Sequence, residues 1–131
     1  MNAGDAVTAS VFFNTGSGSH HDRYNLVLTD LTSGQSFNLW KKCASGSTCE
    51  NSSAEVISEA PSSGSVLPLA DYGVESFVNI KVHDKSDQKG GISSSNWNHD
   101  KIIQASSTDL LATPSSLYGS QAFSNTWKNV S

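Results

Sequence analysis

An alternation of apolar and polar residues with a period of two runs through much of this chain and limits what it can fold into. In residues 7–13 (VTASVFF) the first valines and alanine share one face, with threonine and serine on the other. This is the pattern of a half-buried β-strand. Residues 24–29 repeat it, and residues 35–42 follow after a turn at Gly34. No segment keeps a helical period over three turns. We therefore predict that the first three strands form a meander.

The rest of the chain continues in short segments of the same kind. Further strands are predicted at 54–59, 74–82, 101–105, 110–112 and 122–128. In the first of these, Glu55, Ile57 and Glu59 share one face, which suits either the polar concave side of a sheet or a solvent face. We predict one all-β domain over residues 1–131, an antiparallel β-sandwich of jelly-roll type.

The charge pattern excludes some classes of partner. The net charge is −4, charged residues make up 15% of the chain, and the longest basic run is Lys41-Lys42. Nucleic acid is therefore not an expected partner. No apolar run approaches the roughly 20 residues that a membrane-spanning helix needs, so we expect no membrane insertion. The chain opens without the pattern of a signal peptide.

Cys43 and Cys49 flank a short polar segment, with no CxxC spacing and no histidine nearby. A local disulfide is the favoured interpretation, contributing about 2 kcal/mol on the loop-entropy model, and two reduced thiols are the alternative. A disulfide implies an oxidising, extracellular setting. Asn-x-Ser sequons at Asn51 and Asn129 agree with secretion.

Several polar groups suggest other chemistry. His20 and His21 with Asp22, or His99 with Asp100, could form a metal site or a proton relay. Both groups lie in polar segments where histidines are usually solvated, and we expect neither a metal nor a cofactor. A serine-protease triad lacks a nucleophile motif such as GxSxG.

The segment 53–73, SAEVISEAPSSGSVLPLADYG, resembles the glutamic peptidases (eqolisins, peptidase family A4/G1). In that family a catalytic glutamate stands in an AE-x-x-x-E strand before LP-x-ADFG, and Glu59 falls on its position. The likeness extends to AGDAVTASV at 3–11, YNLVLTDLTSGQSF at 24–37 and LLATPSSL at 110–117. The resemblance implies a concanavalin A-like sandwich of two antiparallel sheets, incomplete here relative to the family.

The resemblance implies a peptidase with half of its catalytic pair. Val56 stands where the family usually has tryptophan, and the chain resembles the family's C-terminal portion, without the part that holds the catalytic glutamine. The chain's own glutamines do not match that motif: Gln35, Gln88, Gln104 and Gln121. We expect Glu59 to activate water for acid hydrolysis of unfolded polypeptide, with Glu55 as a substrate-binding candidate. A second copy or an N-terminal segment would complete the site.

A non-catalytic β-sandwich, either lectin-like or structural, is the alternative function. Trp40, Trp97 and Trp127 could stack on sugars, although tryptophans at strand positions are more often core residues. Asp71, in the LADYG motif, is interpreted as a turn residue and not as a catalytic one.

Overall fold

Strands and loops make up the chain in the computed structural model, which describes residues 2–44 and 48–129. No helix occurs in these residues, so none is long and apolar enough to cross a membrane. The strands are β1 (Val7–Asn14), β2 (Arg23–Asp30), β3 (Ser36–Lys42), β4 (Val74–Phe77), β5 (Val82–His83), β6 (Lys89–Gly90), β7 (Gln104–Ala105), β8 (Leu110–Pro114) and β9 (Phe123–Trp127).

The first compact unit, residues 1–52, contains one three-stranded antiparallel sheet in the order β1-β2-β3. The predicted meander is thus confirmed. Its second turn is tight because Gly34 adopts a positive φ of 73°, a conformation that glycine takes without strain. The Asp30 carboxylate accepts hydrogen bonds from the backbone N–H groups of Thr32 (2.9 Å) and Ser33 (3.1 Å) in the same turn.

The second compact unit, residues 53–131, contains a four-stranded antiparallel sheet in the order β4-β9-β8-β7 and a separate β5-β6 hairpin. Its apolar core is small. Leu69, Leu111 and Ala112 are buried, and Tyr72 and Trp127 pack against them. The Trp127 indole N–H donates to the Leu69 carbonyl at 3.3 Å, which ties the loop before β4 to β9.

Two predicted strands are wrong in detail. Residues 54–59 form no strand and no bridge, and the Ser58 carbonyl there bonds to the side-chain amide of Gln104 and not to a neighbouring strand. The predicted strand 74–82 is divided into β4 and β5, and Asn79 between them has a φ of +57°, which a strand does not accommodate. The single domain over residues 1–131 stays a prediction.

Candidate functional site

Glu59 lies in a loop, two residues before Pro61, with an exposed side chain. Its carboxylate forms no hydrogen bond or ion pair with any residue that the structure describes. An unpaired, solvated carboxylate of this kind is free to accept a proton from water. The loop thus exposes the Glu59 carboxylate to solvent and leaves its oxygens available for hydrogen bonds.

The backbone on both sides of Glu59 is held by the side-chain amide of Gln104. In the amide orientation that gives both atoms a partner, the Gln104 nitrogen donates to the Ser58 carbonyl at 3.3 Å. The Gln104 oxygen accepts from the Ala60 N–H at 2.5 Å. Glu59 is the residue between these two anchors.

A second polar contact holds Ser58 from its side chain. The Ser58 hydroxyl donates to the Glu75 carboxylate on β4. Burial raises the pKa of Tyr72, a hydrogen bond with Ser58 lowers it by less, and the negative charge of Glu75 raises it by a still smaller amount. Tyr72 therefore stays a neutral phenol, and its hydroxyl oxygen accepts from the Asn125 amide at 3.0 Å.

Asn125, on β9, is the buried member of the hydrogen-bonded set formed by Ser58, Glu75, Tyr72 and Asn125. Its side chain is 6% exposed, and its carbonyl oxygen is buried without a hydrogen-bond partner in the described part of the chain. A buried polar atom without a partner lowers the stability of the fold, so the Asn125 side chain carries such a cost. Nothing in the sequence distinguished Ser58, Tyr72 or Asn125 as members of one group.

The other predicted site residues lie apart from these contacts. Glu55 is exposed, and its role in substrate binding stays a prediction. Asp71 accepts a hydrogen bond from the backbone N–H of Gly73 at 2.8 Å, and Gly73 has a φ of +64°. The interpretation of Asp71 as a turn residue is therefore confirmed. Cys43 and Cys49 form the predicted disulfide, with their Cα atoms 5.7 Å apart.

Two histidines pair with an aspartate of their own segment, and a third stacks on a tryptophan of β3. His21 lies 3.1 Å from the Asp22 carboxylate, and the ring of His20 stacks on that of Trp40 with centroids 4.4 Å apart. His83 lies 2.6 Å from Asp87 in the β5-β6 hairpin. No group of three or more potential metal ligands occurs among residues 2–44 and 48–129.

Two of the tryptophans are fixed by hydrogen bonds to the backbone. The Trp97 indole N–H donates to the Ile92 carbonyl at 2.9 Å. Trp127 packs against the core of the second unit, as the interpretation of tryptophans as core residues predicts. A shallow concave surface of about 400 Å³ next to the β5-β6 hairpin is lined by Lys81, His83 and other residues, but by neither Glu55 nor Glu59.

Antiparallel sheets and a loop carboxylate with anchored neighbours define an all-β protein that carries a candidate acid–base group. Comparison with solved structures gives the fold. The crystal structure of aspergilloglutamic peptidase from Aspergillus niger matches with a TM-score of 0.72 and 18% sequence identity, over 98% of this chain and 69% of that chain. The predicted antiparallel β-sandwich is confirmed by this match.

The model of the Peptidase A4 family matches residues 1–127. The chain therefore belongs to the Peptidase A4 family, and the resemblance drawn from its motifs is confirmed. No curated protein matches the chain.

Proposed function

We propose that this protein is a glutamic endopeptidase in which Glu59 activates water for the hydrolysis of peptide bonds. The observation that carries the proposal is family membership over residues 1–127, together with the position of Glu59 in the AE-x-x-x-E pattern. The exposed, unpaired carboxylate of Glu59 supports it, because a general base must be open to water and substrate.

The chemistry needs one base and one donor. The Glu59 carboxylate takes a proton from water while the water oxygen bonds to the carbonyl carbon of the substrate. The carbonyl oxygen then carries negative charge until the C–N bond breaks. Glu59 returns the proton to the leaving nitrogen, which gives a carboxylic acid and an amine. A carboxylate acts as a general base only in its ionised form.

The donor that stabilises the oxyanion is proposed to come from a second copy of the chain or from an N-terminal segment of the family type. Support comes from the surroundings of Glu59. The side-chain amide of Gln104 lies against the backbone next to Glu59, but its nitrogen and its oxygen are both bonded to backbone groups. This amide is therefore not free to stabilise the oxyanion. Glu55 is proposed to contact the substrate polypeptide. The disulfide supports an extracellular location.

The test is the cleavage of a denatured protein at about pH 3–5, with the full chain and its Glu59→Gln variant. We expect Glu59→Gln to lose about 10²–10⁴-fold in rate, the usual contribution of a general base. Glu50→Gln, which changes another exposed glutamate, serves as the matched control and should cleave at the wild-type rate. The assay is run with and without an added family N-terminal segment. Equal cleavage by Glu59→Gln, or none by the wild type under either condition, would contradict the proposal.

A further inference from the structure

We infer that Gln104 is a positioning residue whose side-chain amide sets the direction in which the Glu59 side chain leaves the loop. The catalytic part of this inference rests on the proposed function, and the structural part stands on the contacts alone. Gln104 lies 45 positions after Glu59 in the sequence, and no motif connects the two residues. The structure brings the Gln104 amide against the backbone on either side of Glu59.

The two hydrogen bonds enclose the rotatable bonds of Glu59. The path from the Ser58 carbonyl to the Ala60 N–H runs through the φ and ψ bonds of Glu59 and through no other soft backbone dihedral. An amide that holds both ends of this path restricts both angles. Because the Cα–Cβ bond is fixed relative to these angles, the amide also sets the direction in which the glutamate side chain leaves the loop.

The amide replaces a strand neighbour that the loop lacks. Residues 53–61 form no strand and no bridge, so they are without the ladder that fixes a side chain in a sheet. In a parallel bridge, one residue donates its N–H to the carbonyl of residue i−1 and accepts, with its own carbonyl, from the N–H of residue i+1 of the neighbouring strand. The Gln104 amide makes the same two bonds, to Ser58 and Ala60.

Gln104 can act in this way because its own backbone is attached to the core. It begins β7 and pairs with Ala112 of β8, which is 1% exposed. The register shifts between Gln104 and Ala105, and such irregularities turn a side chain away from the regular alternation of a strand. The loop that carries Glu59 is thereby connected to a buried strand.

Both polar atoms of the Gln104 amide are used by the backbone, so we assign it positioning and not stabilisation of the oxyanion. Its hydrogen bonds can be removed with little change of size by Gln104→Met. Gln104→Glu keeps the shape and the acceptor for Ala60, and it regains a donor for Ser58 only when its carboxyl group is protonated. Gln88→Met, in the exposed turn between β5 and β6, is the matched control.

Two measurements test the inference on the full chain. Amide hydrogen exchange should show the protection of the Ala60 N–H reduced about fivefold in Gln104→Met, as expected for one lost hydrogen bond, and unchanged in Gln88→Met. Cleavage kinetics should show a lower kcat in Gln104→Met at a similar KM, because the base is misdirected while the substrate still binds. The kcat of Gln104→Glu should exceed that of Gln104→Met at about pH 3, and this advantage should shrink at about pH 5.

Each outcome decides one part. Unchanged Ala60 protection in Gln104→Met would show that the Gln104 amide does not clamp the backbone on either side of Glu59 through its two hydrogen bonds. Lost protection with an unchanged kcat would overturn the positioning role, as would equal kcat profiles for the two Gln104 variants. A wild type that cleaves nothing contradicts the proposed function, and Ala60 exchange then still decides whether the clamp exists.

Discussion

Asp30 is a buried carboxylate at the end of β2, with 7% of its surface exposed. Hydrogen bonds from the Ser33 side chain and backbone, and from the backbone of Thr32, lower its pKa, against an opposing effect of burial. A carboxylate whose pKa is lower in the folded state stabilises the fold above its unfolded pKa, and this contribution is lost as the pH falls through the folded pKa.

We therefore expect Asp30→Asn to lower the Tm by a few degrees at neutral pH, with a difference from wild type that shrinks at about pH 2. Thermal unfolding followed by circular dichroism at several pH values measures this. Asp100→Asn, which changes an exposed aspartate, is the control. A Tm difference that stays constant down to the lowest pH would refute the electrostatic explanation.

At the scale of residues, the sequence predicted what is local or carried by a motif. Asp71 as a turn residue and the Cys43–Cys49 disulfide follow from neighbours a few positions apart. Glu59 was selected by a family pattern. The Gln104 amide bonds to residues 46 and 44 positions away in the sequence, and the Asn125–Tyr72 hydrogen bond joins positions 53 residues apart. Such pairs have no signature in a single sequence.

Among the secondary-structure elements, the β5-β6 hairpin makes a close approach to the loop before β9. Gly91, directly after β6, is buried, and the N–H of the next residue, Ile92, donates to the Ser120 carbonyl at 2.6 Å. A Cβ atom on Gly91 would lie 2.2 Å from that carbonyl oxygen. Since the obstructing atom belongs to the backbone, it cannot move aside as a side chain would.

We expect Gly91→Ala to lower the free energy of unfolding by about 1–3 kcal/mol, the usual cost of overpacking. Urea denaturation measures it. Gly16→Ala is the control, because the nearest atom there is the Asn14 side-chain oxygen at 3.1 Å. A Gly91→Ala variant as stable as Gly16→Ala would mean that the hairpin shifts at no cost.

The elements that the sequence predicted well are those whose partners are adjacent in the chain. The β1-β2-β3 meander pairs each strand with the next through a short connection, so alternation and turn residues are sufficient. In the sheet β4-β9-β8-β7, β4 pairs with a strand almost 50 residues away. The alternation at 54–59 resembled a strand because it specifies a face, but it does not specify a hydrogen-bonded neighbour.

On the scale of the whole molecule, the described residues expose a large apolar surface at one sheet edge. β1 is an edge strand, and its consecutive residues Val11 and Phe12 are 69% and 59% exposed. Because neighbouring side chains point to opposite faces of a strand, apolar surface is exposed on both sides of this edge. Unpaired edges of this kind tend to add a strand from another chain.

We therefore expect a dimer or larger assembly, with a mass that rises with concentration in light scattering after size exclusion. Phe12→Lys, which places a charge on the edge, should shift the population towards monomer. Leu31→Lys is the control, because Leu31 is 62% exposed but lies in the turn after β2. A wild type that is monomeric at every concentration would exclude the assembly.

The stack of His20 on Trp40, with ring planes 7° apart, has an optical consequence. An imidazolium ring accepts an electron from an excited indole far more readily than a neutral imidazole does. Electron transfer of this kind needs the two rings in contact, so the emission of Trp40 depends on the stack with His20. The fluorescence of this one tryptophan thus reports whether the loop between β1 and β2 stays against β3, without an added dye.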